Sequence, residues 1–290
     1  MVRWLVLGLG VMMMVTTAGA EEMSWTGCGI TKNAFMKEMA VAFEEKTGVT
    51  VKLSGGGATR GIRSVAAGTS DLGGSCRYWL KTVDSTIHPE EQGARLIQVA
   101  WDALVVIAHL DNAVDNISME QLKGVYRGDI SNWSELGGRD QHIGLVTREG
   151  KTSGVGYMMR QLVFGDANYE FQARSLEVKS SGPLEEKVET VKSALAVDGI
   201  SSAKRRKVKF LSLDGVAPTK GNIVTGAYPL FRPLYLVVNK NQTSQGAQDF
   251  IDFVLSDEGQ VIISSLGTVN LLEGEHLSAL WKAKADSLGM

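Results

Sequence analysis

Residues 49–77 read VTVKLSGGGATRGIRSVAAGTSDLGGSCR, and this stretch decides the fold. The β-rich run at its start ends in the glycines Gly55, Gly56 and Gly57. A helical pattern, ATRGIRSVAAGTS (58–70), opens directly from those glycines, and DLGGS (71–75) begins the next strand and loop. The order strand, glycine loop, helix returns in HIGLVTREGKTSGVGYMMRQLVFG (142–165). Such recurrence predicts an α/β protein with a mainly parallel sheet. Helices are predicted over KNAFMKEMAVAFEEKTG (32–48), which Gly48 would stop, over 118–128, from residue 184 into a strand before 204, and over 246–267. In the last of these, Phe250, Phe253, Val254 and Val261 are expected to face the core. YPLFRPLYLVVNK (228–240) reads as a strand, but its two prolines suit a crossing segment better than a central strand.

The chain opens like an export signal. Arg3 precedes the apolar run WLVLGLGVMMMV (4–15), and the small residues AGA (18–20) precede Glu21. Cleavage after Ala20 and a periplasmic destination are expected. Removing that leader takes away Arg3 and leaves 29 basic against 32 acidic residues. This balance excludes a nucleic-acid partner, and no second apolar run suggests a membrane span. The four histidines stand singly, and there is no nucleophile elbow, P-loop or zinc spacing. No catalytic residue, metal or cofactor is expected.

Three loops follow predicted strands and open helices: TGCGIT (26–31), SGGGATR (54–60) and TREGKTSGVG (147–156). Unpaired N–H groups at a helix start carry partial positive charge, so such loops hold anions without needing a basic side chain. Arg77 and Arg148 adjoin loops of this kind, and arginine grips oxyanions through paired donors.

Eight segments then occur in order: GGGATRGI, SDLGGSCR, QVAWDALVVIAH, QLKGVYRGDISNWSELGG, TREGKTSGVGY, DGVAPTKGNI, YPLFRPLYLVVN and FIDFVLSDEGQ. Together they resemble the periplasmic phosphate-binding protein of bacterial phosphate ABC transporters. The resemblance implies a type II periplasmic binding fold, with two α/β lobes joined by two crossover strands around a ligand cleft. The crossings would fall near Trp101–Val105 and Phe231–Leu236, giving a signal at 1–20, one lobe of 21–104 plus 233–290, and a second of 105–232. It implies a monomer that captures a small oxyanion for the membrane subunits of a transporter, or presents it to a membrane sensor. Thr31, Arg148, Ser153 and Gly154 match the family's residues around phosphate. Ala58, Val155 and Cys76 stand where the family commonly has serine, threonine, and aspartate or serine. The full candidate set is Cys28, Gly29, Thr31, Gly57, Ala58, Thr59, Ser75, Cys76, Arg77, Arg148, Ser153, Gly154 and Val155.

In that fold the strands before Cys28 and Cys76, the chain's two cysteines, would be neighbours. Three readings stay open: a disulfide clamping two ligand loops, a dithiol gripping a soft ligand such as arsenite or a soft metal ion, and two inert thiols. An enzyme would need a base beside Cys76, and the sequence places no histidine there.

Overall fold

The computed structural model describes residues 21–290. The expected leader, 1–20, lies outside the described residues. Among the described residues there are ten strands: β1 (Glu22–Gly27), β2 (Thr50–Ser54), β3 (Leu72–Ser75), β4 (Ala94–His109), β5 (Asn116–Ile117), β6 (Gly144–Arg148), β7 (Leu176–Val178), β8 (Ala194–Gly199), β9 (Val208–Leu213) and β10 (Phe231–Asn239). They run in the order β2-β1-β3-β10-β4-β8-β6-β7, with β9 pairing β4 and β5.

Two strands make this one sheet into two lobes. β4 has 16 residues, so at about 3.3 Å per residue it spans roughly 50 Å. Its first part, through Ala103, pairs with β10; from Leu104 onward it pairs with β8 and β9. The pairs around the crossings (β3/β10, β10/β4, β4/β8 and β4/β9) are antiparallel, whereas β1/β2, β1/β3, β6/β7, β6/β8 and β5/β9 are parallel. The sheet is thus less parallel than the sequence pattern suggests, because each crossing strand returns against the lobe it enters. Pro233 sits opposite Trp101, whose own N–H is turned outward to the Val269 carbonyl at 2.8 Å. The register slips just beyond it, between Leu234 and Tyr235, which is where a strand tolerates a residue without an N–H.

Helix and strand are locked by close approach where β1 meets β3. A Cβ on Gly74 would lie 2.2 Å from Trp25 Cζ2 and 2.7 Å from Thr31 Oγ1. Any side chain there would push the fully buried Trp25 ring off the sheet, which accounts for the glycine in the middle of LGGS. The glycine run before the helix Gly57–Ala66 has a different cause. Gly56 has φ +144°, a conformation L side chains rarely adopt, and it turns the chain from β2 into that helix.

The predicted C-terminal amphipathic helix is two helices, Gln245–Leu255 and Asp257–Ser265. Ser256 breaks them with an extended backbone, and its hydroxyl accepts from the Gly259 N–H. Phe250, Phe253 and Val254 are buried as expected. Val261 is not: the break rotates it outward, and it is 65% exposed. Among the described residues no helix is long and apolar enough to cross a membrane.

Candidate ligand site

A cavity of about 240 Å³ opens between the lobes, lined by the starts of four helical segments. Cys28, Gly29 and Ile30 bring the segment that continues through Lys37–Thr47; Gly55 to Ala58 bring Gly57–Ala66; Gly154 and Val155 bring Gly154–Met159; Ser180, Ser181 and Gly182 bring Ser181–Thr190. Cys76 and Arg148 complete the wall. No aspartate or glutamate lines it. Helix starts supply N–H donors and partial positive charge, so the whole lining favours an anion.

Arg148 is the one charged side chain in this wall. It lies at the end of β6, 9% exposed, and its guanidinium is already held from behind. Nη1 donates to Ser181 Oγ at 3.2 Å and Nη2 to the Lys179 carbonyl at 2.7 Å, leaving the buried Nε with no partner. Ser181 Oγ in turn donates to Asp198 Oδ1 at 2.9 Å, which also accepts the Gly199 N–H. Asp198 and Glu185 form a buried acid pair behind this relay. Burial, with the charge of Asp198, pushes Glu185 up to about 8. Burial likewise raises Asp198, opposed by the charge of Arg148. The two carboxyls thus resist ionising together, and they lie across Ser181 from Arg148.

The two sulfurs meet at the cavity wall. Both cysteines are free thiols and buried. Cys28 follows β1 and Cys76 follows β3, with the Cys28 N–H donating to the Gly74 carbonyl at 3.1 Å. Cys28 caps its helix: Sγ accepts from the Thr31 N–H at 3.4 Å and lies 2.9 Å from Thr31 Oγ1. Burial opposes ionisation of Cys28, but hydrogen bonds from Cys76 and Thr31 outweigh it and bring Cys28 down to about 7. The same contact with Cys28, together with burial, holds Cys76 well above the ordinary thiol range. Across the seam Gly154 packs on Cys76 and Ala58: a Cβ there would lie 2.4 Å from Cys76 Sγ and 3.1 Å from Ala58 Cβ.

Of the candidate set, Cys28, Gly29, Gly57, Ala58, Cys76, Arg148, Gly154 and Val155 line this cavity. Five others are engaged elsewhere. Thr31 is fully buried behind Cys28 and donates to its carbonyl. Ser75 Oγ donates to the Arg77 carbonyl, and Ser153 Oγ caps its helix by accepting from the Gly156 N–H. Arg77 is bound to Glu91 through two contacts, Nη2 to Oε1 at 2.6 Å and Nη1 to Oε2 at 3.0 Å. Its Nε donates to the Thr152 carbonyl, which also accepts from Thr59 Oγ1. Arg77 and Thr59 therefore clasp the second-lobe loop beside the cavity, with all the donors of Arg77 spent on protein.

Sequence reasoning missed two parts of the site. One is Ser180, Ser181 and Gly182, whose signal was available: SSGP after a short strand is a helix start. The other is the buried pair Asp102 and Arg232, one residue from each crossing strand, with Nη2 to Oδ2 at 3.0 Å. Arg232 Nη1 also donates to the carbonyls of Cys76 and Gly154, at 3.1 and 3.4 Å, and so joins the two faces of the cleft. A larger cavity of about 350 Å³ lies elsewhere, walled by Tyr78, Trp79, Tyr235 and the flank of the helix Leu277–Ser287 rather than by helix starts.

Comparison with known proteins agrees with this architecture. A family model described as a PBP superfamily domain matches residues 29–258. The phosphate-binding protein PstS of Bacillus subtilis is 26% identical over 254 residues, covering 84% of this chain and 80% of that protein. PstS of Borreliella burgdorferi is 29% identical over 195 residues, covering 65% and 70%. Among solved structures, a candidate phosphate ABC transporter substrate-binding protein of Clostridium perfringens, with phosphate bound, superposes with a TM-score of 0.74 at 27% identity, covering 86% of this chain and 99% of that one. An ABC-type phosphate transport receptor of Vibrio cholerae gives 0.65 at 26% identity, covering 86% and 100%. The chain belongs to the PBP superfamily and has the type II periplasmic binding protein fold, two α/β lobes closing on a cleft.

Proposed function

We propose that this chain is the solute-binding component of an ABC transporter for phosphate, taking the anion between its lobes and delivering it to the membrane subunits. One observation carries the reading: a nine-tenths buried arginine, Arg148, whose buried Nε has no partner, stands in the wall of a carboxylate-free cavity where four helical segments begin. The relatives named phosphate-binding support it. They do not favour the soft-ligand alternative, since none of those compared is named for a thiol-bound ligand.

We put the lobe bounds at 21–104 plus 233–290 and at 105–232, a division supported by β4 exchanging β10 for β8 at Leu104. A single copy suffices for binding, since both walls of the cavity come from one chain. The work is done in the periplasm, after removal of the leader that ends at Ala20. The reading is of a binding protein, not a catalyst: Arg148 and the amides that begin the helices hold an anion.

Titration calorimetry of the reduced protein with inorganic phosphate tests this. Saturable one-to-one binding, with sulfate and arsenite giving weaker or no heat, is expected. Absence of saturable phosphate binding, or tighter binding of arsenite, would reject it.

A further inference from the structure

The anion reading leaves the two sulfurs without a task, although both lie in the cavity wall. They are free thiols at the ends of neighbouring parallel strands, both in the wall of one cavity, one acidified and one held protonated. That division of labour suits thiol–disulfide exchange, in which one sulfur attacks as thiolate and the other resolves. Nothing about an anion site asks for it.

We propose that Cys28 and Cys76 are a reversible dithiol–disulfide couple that sets the affinity of the cavity for its anion, the oxidised form binding more tightly. The proposal rests on the anion reading above. In the forward step the Cys28 thiolate attacks one sulfur of a small-molecule disulfide such as oxidised glutathione, and the released thiolate takes up a proton. Cys76 then loses its proton as its sulfur attacks Cys28 Sγ and expels the second thiol. Two electrons leave the protein, and the two reagent thiols carry the two protons.

The direction of the effect follows from charge. Reduced Cys28 titrates near neutrality, so above pH 7 it places a negative charge in the wall that must receive an anion. The groups facing it are Thr31 on its own helix, Cys76 after β3, Arg232 and Asp102 on the crossing strands, and Arg148 across the cleft. A disulfide is neutral and removes the repulsion. By linkage, a bound anion must make Cys28 harder to ionise and slower to alkylate.

The test uses the purified chain, fully reduced or treated with oxidised glutathione. Mass spectrometry after alkylation counts thiols, and calorimetry with inorganic phosphate reads affinity at pH 8 and pH 6. The oxidised protein should be two hydrogens lighter, take up no alkylating agent, and bind phosphate about tenfold more tightly at pH 8 than the reduced form. At pH 6 the ratio should shrink toward one. Cys76→Ser should stop at the Cys28–glutathione mixed disulfide and never lose two hydrogens; if it fails to fold, the wild-type comparison decides alone. Two alkylatable thiols after oxidant, or equal affinities at pH 8, would overturn the proposal while leaving phosphate as the ligand. Phosphate binding in neither state, with the thiols paired, would defeat both readings.

Discussion

Arg148→Ala should weaken phosphate binding by about two orders of magnitude while leaving the fold intact. Ser181 and the Lys179 carbonyl already fix the guanidinium, so a ligand meets a donor whose ordering cost has been met in the folded chain. A charge-assisted hydrogen bond from such a donor is worth about 1.5–3 kcal/mol, or roughly ten- to a hundredfold, and the lost full charge adds to it. Arg148→Lys should recover little, because an ammonium cannot bond Ser181 and Lys179 from one plane and still present a third donor. Calorimetry with phosphate, alongside circular dichroism, reads both changes. Unaltered affinity in Arg148→Ala would remove this residue from the site and the anion from this cavity.

Arg232→Met should lower unfolding stability by about 3–5 kcal/mol, because it leaves Asp102 charged and unpaired where neither side chain meets solvent. Asp102 Oδ1 would keep only the Ser201 N–H. Changing Asp102→Asn as well should recover much of the loss, since the stranded charge is then gone. The recovered double variant should still bind phosphate poorly, for it lacks the donor that spans the Cys76 and Gly154 carbonyls across the cleft. Urea unfolding gives the first result and calorimetry the second. A loss under about 1 kcal/mol in Arg232→Met would show that water reaches the pair and that it does not brace the crossing.

How much of this could be read beforehand depended on sequence distance. The glycine run before residue 58 marks a helix opening from a strand because only neighbours a few positions apart are involved. One crossing strand, β10, is marked by Pro233, which it tolerates beside a slip in register, whereas β4 carries no proline to mark it. Arg77 and Arg148 looked alike in sequence, each following a short strand near glycines. What separates them is Glu91, 14 residues beyond Arg77, which takes its guanidinium out of the cleft. Asp102 and Arg232 lie 130 residues apart, and no local pattern announces such a pair. Val261 failed through a local event: Ser256 prefers to cap a new helix rather than continue the old one, and every position after it is rotated.

The central claim is that one anion sits between the lobes against Arg148. The crystal structure of the reduced protein grown with saturating inorganic phosphate tests it most directly. Tetrahedral density within hydrogen-bond reach of Arg148 Nε and of the amides that begin the helices at Gly57, Gly154 and Ser181 is the predicted result. An empty cavity at saturation, or phosphate bound only on another surface, would contradict the account.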